Sequence, residues 1–245
     1  MDLAFFPRLV PQSPKGSGLC INGASNAQIA ATLPPGLVAV FVGATNGIGE
    51  YPLKESSRHA QKLRVYFVGR SQGAGDHIAK ECQELSPRGE FIFIKADVSL
   101  LKTVDEVCRE IYSKEKTINL LFLTCGPALA YAVLAMDTRE GLQIFMALPY
   151  YAHARFIVKL LPFIRLAKNL RRVVTVFAAG NEGPILKDDF QSRKIPFGNV
   201  RGHNVSMTDF MLVHIAQGAA KVGFVHDYRG PVKSGSERET VLPVF

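Results

Sequence analysis

The sequence predicts an α/β fold, a doubly wound parallel sheet of Rossmann type with six strands in a single domain. Three observations lead there. Six short apolar runs alternate along the chain with longer stretches that carry apolar residues at helical spacing. The runs are nearly continuous in Val, Ile, Leu and Phe, as expected for strands buried on both faces rather than on one. Strands separated by helices are joined by right-handed crossovers, which place helices on both faces of one sheet.

The elements follow in order. Residues 37–43 (LVAVFVG) form the first apolar run, and a helical stretch extends from Gly47 to about Gln61. LRVYFVG at 63–69 is the second strand, Ala74 to Leu85 a helix, and EFIFIKA at 90–96 the third strand. A helix from Leu101 to Ser113 precedes INLLFLTCG at 118–126. A long helical region fills most of 139–169, RVVTVFAAG follows at 172–180, a helix fits 205–221, and VGFVHDY at 222–228 closes the series. Residues 1–35 read as an N-terminal arm, loose up to about Gly18 on its Pro, Ser and Gly content, and 36–245 as the Rossmann-type domain.

Composition agrees with one globular domain: 245 residues, 47% hydrophobic and 20% charged. No apolar run reaches bilayer-spanning length, and the opening MDLAFFPRLVPQ is cut by Pro7 and Pro11, unlike a secretory signal. A soluble, cytoplasmic protein without a membrane partner is expected. Cys20, Cys82, Cys108 and Cys125 are widely spread, with no C-x-x-C and no histidine pair at metal spacing, so reduced thiols are expected, with no metal site.

The formal net charge is +8. It suits either an anionic partner or a soluble surface with room for an anionic cofactor. Its densest part, ARFIVKLLPFIRLAKNLRR at 154–172, reads as an amphipathic helix with a solvated basic face, kinked or broken near Pro162. Aromatic platforms are not interleaved there, so nucleic acid is not an expected partner.

The first strand-to-helix turn reads VFVGATNGIGE. Gly43, Gly47 and Gly49 have the spacing G-x-x-x-G-x-G, which permits a tight turn, close approach to a pyrophosphate and packing of the helix whose N-terminus faces the charge. Its place between an apolar strand and a helix gives the pattern its meaning. The second strand ends in Gly69, Arg70 and Ser71, where an acidic residue would take ribose hydroxyls and an arginine pairs with a 2′-phosphate. NADP(H) is therefore the expected cofactor.

From about Leu37 to Gly235 the chain resembles the short-chain dehydrogenase/reductase family, in its fungal type associated with specialised metabolism. The resemblance rests on GATNGIG, VGRS at 68–71, KADVS with Asp97 and Val98, LLPFI at 160–164, VVTVFAAG at 173–180 and VHDYRGPVKSG at 225–235. It implies cofactor contacts from Gly43, Thr45, Asn46, Gly47, Ile48, Gly49, Arg70, Ser71, Asp97, Val98, Val232 and Ser234. Arg229 stands where a proline is usual, and Ser234 where a threonine is usual.

The same resemblance implies a serine, an asparagine, and a tyrosine with a lysine four residues on, the tyrosine acting as general acid/base. The corresponding positions hold Phe177, Ala178 and Ala179 at the end of the fifth strand, Pro149 in the long helix, and Arg201 and Val205 or their immediate neighbours at the start of the helix before the last strand. Tyr112 and Lys116 in YSKEK have the tyrosine–lysine spacing but precede the fourth strand, on the side of the sheet opposite the nicotinamide. After Ser234 only GSERETVLPVF remains, where the family continues into a substrate-covering helix and a seventh strand.

In the emptied cleft His203 is the candidate acid/base, against a plain role as a loop histidine at a helix entrance. Asn181 and Glu182 either reach the cavity or serve the turn GNEGP. Asn204 or Ser206 caps the following helix, and Tyr150 and Tyr151 belong to the core. Three functions fit: an atypical NADP(H) enzyme acting on a hydrophobic small molecule by redox, a non-redox isomerase or cyclase, and a dinucleotide-binding module without turnover. By resemblance alone, homo-oligomerisation through the helices around Met146 to Leu166 and Val205 to Ala220 is expected.

Overall fold

The computed structural model describes residues 33–126 and 136–230. Its centre is one parallel six-stranded sheet of order β3-β2-β1-β4-β5-β6. The strands are β1 (Val38–Val42), β2 (Arg64–Gly69), β3 (Glu90–Lys95), β4 (Leu120–Leu123), β5 (Arg172–Val176) and β6 (Gly223–Asp227). A 3₁₀ turn at Gly47–Gly49 leads into α1 (Glu50–His59). Next come α2 (Gln72–Leu85), α3 (Leu101–Lys114), α4 (Ile144–Leu166) and α5 (Phe197–Gln217).

Alternation along each buried strand sorts its side chains to two faces. Ala39 and Phe41, with Val65 and Phe67, pack against Leu53 of α1 and Ile78 and Cys82 of α2. Val40, Val42, Leu121, Leu123 and Val173 pack on the other face with Val104 and Ile111 of α3, Phe156 and Leu160 of α4 and Leu212 of α5. Cover thins toward β6 on the α1–α2 side, where Leu120, Phe122 and Val174 are half-buried and Val225 is 37% exposed.

Two expectations change here. The helix expected over 205–221 begins earlier, at Phe197, and takes in Gly202, where a Cβ would meet Gly183 Cα at 2.9 Å. The long helix also differs. Its last part, His153–Leu166, runs regularly through Pro162, and the irregularity lies earlier, in a π-turn at Ala147–Ala152 that contains Pro149. Pro162 deprives the carbonyl of Val158 of a donor, but Val158 is 58% exposed and water can serve it.

With both prolines absorbed, Ile144–Leu166 is a continuous helix of 23 residues, long and apolar enough to cross a bilayer by length and composition. Here it packs on the sheet with more than half of its apolar window buried. Its basic face is partly paired: Arg155 holds Asp105 of α3 at 2.6 and 2.8 Å, with Lys159 at 3.6 Å.

Candidate functional site: the carboxyl ends of the strands

The glycine bend begins where β1 ends. Gly43 has φ +81°, and a Cβ there would stand 2.8 Å from the backbone nitrogen of Cys125. Its N–H donates to the Val68 carbonyl at 3.0 Å, tying the bend to β2. Asn46 is extended and its Oδ1 accepts from the Gly47 N–H at 2.7 Å, which starts the 3₁₀ turn. Gly49 packs so tightly that a Cβ would lie 2.5 Å from both the Gly43 carbonyl and Thr124 Oγ1.

Thr124 clamps this arrangement from the next strand. Its hydroxyl lies 3.0 Å from the Val42 carbonyl and 2.9 Å from that of Gly43, to which it donates. Sequence reasoning did not single it out. The signal available was its position as the first polar residue after the apolar run LLFL. The backbone N–H groups of Thr45 and Asn46 have no acceptor among the described residues, beside the half-buried Ile48 and ahead of the N-terminus of α1. Uncommitted amides in a bend of this kind make a small anion-binding concavity.

The end of β2 touches the bend. A Cβ on Gly69 would be 2.6 Å from Thr45 Cγ2, so the glycine makes room for the threonine and sets the exposed Arg70 beside it. Ser71 Oγ accepts from the Ala74 N–H at 3.4 Å and caps α2. Asp97 is exposed after β3, its carboxylate accepting the Ser99 N–H at 3.1 Å, and Val98 is buried. Val232 and Ser234 lie outside the described residues.

Beyond β5 the chain makes a tight turn. Asn181 donates its side-chain amide to the Ala178 carbonyl at 2.9 Å, and Glu182 accepts the Gly180 N–H at 2.8 Å, so both serve the turn. The loop then crosses α5 backbone to backbone: the Gly183 N–H donates to the Gly202 carbonyl at 3.1 Å, and a Cβ on Gly202 would meet Gly183 Cα at 2.9 Å. Ser206, inside the helix rather than capping it, accepts the Gly183 N–H and donates to the Gly183 carbonyl at 2.7 Å.

His203 is therefore a buried helix residue, not a loop histidine at a helix entrance. Its Nδ1 accepts the Leu186 N–H at 3.2 Å, which leaves the proton on Nε2. That Nε2 is buried without a partner among the described residues. Asn204 does not cap either. Pro149 has no N–H to give the Phe145 carbonyl, and Asn204 Nδ2 supplies that donor at 3.2 Å, joining α5 to the π-turn of α4. Tyr150 and Tyr151 in that turn are half-buried, and burial raises both hydroxyl pKa values. Tyr151 accepts from Gln191 at 3.1 Å.

Arg201 lies one turn before fully buried Val205, its guanidinium 5.2 Å from the ring centroid of Tyr228, the first residue past β6. Tyr112, by contrast, holds α3 to α4. Its hydroxyl donates to the Lys159 carbonyl at 2.6 Å, its ring stacks on Phe163, and burial raises its pKa.

One buried group had no sequence signal beyond a histidine on an apolar helix face. His153 is fully buried between α4 and the sheet. Its Nε2 donates to the Cys125 carbonyl and its Nδ1 accepts from Thr175 Oγ1, both at 3.1 Å. Burial holds its pKa down to about 3.

Comparison with known proteins agrees with this geometry. The chain is 36% identical over 210 residues to the oxidoreductase AN1596 of Emericella nidulans, covering 85% of this chain and 62% of that protein. It is 35% identical over 200 residues to the oxidoreductase andH of Emericella variicolor, covering 81% and 58%. The chain thus spans about three fifths of the length of these curated relatives. In three dimensions it resembles the Pseudomonas aeruginosa RhlG/NADP complex, with a TM-score of 0.61, 20% identity and coverage of 84% and 76%. It also resembles an alcohol dehydrogenase from Thermococcus sibiricus complexed with 5-hydroxy-NADP, with a TM-score of 0.60, 17% identity and coverage of 78% and 74%. Those two likenesses establish the fold. The short chain dehydrogenase family pattern matches residues 37–180, the span from β1 and its glycine bend to the turn after β5, and the chain belongs to that family.

Proposed function

We propose that the chain binds NADP(H) across the carboxyl ends of its strands and acts as an atypical oxidoreductase on a hydrophobic small molecule. The observation that carries this reading is the bend itself: uncommitted Thr45 and Asn46 amides, held by the Thr124 clamp and by glycines that admit no Cβ. These residues fit a dinucleotide pyrophosphate. Arg70 would face the 2′-phosphate, and Asp97 and Val98 the adenine side. The solved structures named above with NADP and 5-hydroxy-NADP, and the fungal relatives named oxidoreductases, support the same reading.

When bound, the dinucleotide supplies or accepts hydride. The chain's own residues position it and exclude water. The positions assigned by resemblance to the serine and the tyrosine–lysine pair hold Ala178, Arg201 and Val205, so proton transfer falls to a non-standard group. His203 is our candidate, with Nδ1 committed to Leu186 and Nε2–H free to donate.

Calorimetry with NADP and NAD tests the cofactor. Preference for NADP that Arg70→Ala abolishes is expected, and equal affinity for both would remove the role of Arg70. Absorbance at the reduced-nicotinamide band during turnover tests redox use. A non-redox isomerase or cyclase is the second reading, favoured by the apolar Ala178 and Val205, and product without cofactor consumption would select it. Unchanged kinetics in His203→Ala would eliminate the proposed proton donor. We also propose a homo-oligomer formed through α4 and α5, whose Val158, Leu166, Phe210 and Val213 are exposed.

A further inference from the structure

We infer that Arg201 recognises a carboxylate on the small-molecule ligand, so that the cleft takes an apolar compound with an acidic head group. This rests on the ligand side of the sheet being the one proposed above.

Several other arginines of the chain are neutralised. Arg229 holds Asp227 at 2.6 Å, Arg193 holds Asp137 at 2.8 Å and Arg155 holds Asp105 at 2.6 Å. Among the described residues no carboxylate pairs with Arg201. It has the stacking on Tyr228 and one long contact, Nη2 to the Tyr228 hydroxyl at 3.4 Å. Its Nε is buried and has no partner among the described residues. Nε and Nη2 form one edge of the planar guanidinium, the edge that takes a carboxylate through two parallel hydrogen bonds. A buried, unpaired donor on a permanent cation is costly, and a bound anion removes that cost.

The dinucleotide phosphates are a poor source for this anion. Their bend follows β1, whereas Tyr228 follows β6, three strands away in the order β1-β4-β5-β6. At about 4.8 Å per strand the separation is roughly 14 Å. Arg201 is also no substitute for the expected proton donor, since guanidinium does not lose its proton in proteins. It fixes a charge where the resemblance places an acid.

The test uses hexanoate and hexanamide as probes, titrated into the NADP⁺-saturated protein, with NADP⁺ affinity measured separately. Wild type should bind hexanoate more tightly than hexanamide. Arg201→Gln should weaken hexanoate by roughly tenfold to a hundredfold while leaving hexanamide and NADP⁺ unchanged, the scale of a charge-assisted hydrogen bond. Arg201→Lys should recover part of the loss, because a point charge replaces the fork. Equal binding of acid and amide by wild type would overturn the inference. So would loss of NADP⁺ affinity in Arg201→Gln with hexanoate unaffected, which would assign the anion to the dinucleotide. Should wild type fail to bind NADP⁺ at all, the cofactor reading falls, and hexanoate binding to wild type against Arg201→Gln still decides the role of Arg201.

Discussion

Acidification should unlock the His153 clamp, and the size of the effect follows from its surroundings. The Cys125 carbonyl accepts only, so Nε2 must carry the proton and Nδ1 must be bare to take the Thr175 hydroxyl. Charging the ring would put a second N–H against that hydroxyl in a site with no water access. The folded pKa of about 3 lies below the ordinary value of 6.5. With the folded value depressed, the unfolded chain takes up the proton first, so this contribution is complete above about pH 6.5 and drains as the pH falls toward 3. At pH 5 the loss from this one group is about 2 kcal/mol, with 1.36 kcal/mol for each pKa unit. His153→Gln keeps a neutral amide at the position and cannot charge. Urea unfolding of both proteins at pH 8 and pH 5 isolates the effect, because carboxylates and the remaining histidines titrate in both. Wild type should lose about 2 kcal/mol more than the variant over that interval. Parallel losses would show that His153 is not held neutral, and the clamp would be wrongly assigned.

Three further outcomes are expected. Gly49→Ala should destabilise by about 1–3 kcal/mol and abolish dinucleotide binding, since its Cβ meets the Gly43 carbonyl at 2.5 Å; a variant of wild-type stability in thermal melts would refute the packing described. Asn204→Leu should cost about 1–3 kcal/mol by stranding the Phe145 carbonyl, and less in a Pro149→Ala background that restores a backbone donor; additive losses in the double-mutant cycle would deny that Asn204 compensates for Pro149. Phe210→Asp, at a side chain 60% exposed on α5, should shift the protein to a smaller species in size-exclusion chromatography; an unchanged elution volume would place any subunit contact elsewhere.

The architecture was legible because most strands are nearly unbroken apolar runs that alternate with helical stretches. Val38–Val42 and Arg64–Gly69 fall inside the expected 37–43 and 63–69. Helices were harder where Gly and Pro carry two meanings. Gly202 lies inside α5, where a glycine weakens a helix, and its purpose is to let Gly183 approach to 2.9 Å from where a side chain would stand. The kink expected at Pro162 lies instead at the π-turn that contains Pro149, where a side chain 55 positions later in the sequence supplies the missing donor. Neither fact exists before the chain is folded.

The same distinction separates the two halves of the candidate site. The phosphate-side half is written in backbone requirements: Gly43 needs a positive φ, Gly49 and Gly69 need to lack a Cβ, and each requirement shows in the sequence as a glycine at fixed spacing. Thr124 escaped notice because its function is a bond to carbonyls 81 and 82 residues away. The chemical half consists entirely of such distant pairings: His203 with Leu186, Asn204 with Phe145, His153 with Thr175 and Cys125, and Arg201 over Tyr228. A histidine, an asparagine or an arginine at these positions carries no periodicity and no motif. What the fold adds is the state of each group: the tautomer of His203 and the neutrality of His153 follow from their partners, and the Nε of Arg201 has none among the described residues. Those states, rather than the residue types, are what the proposed proton transfer by His203 and the proposed anion contact of Arg201 rest on.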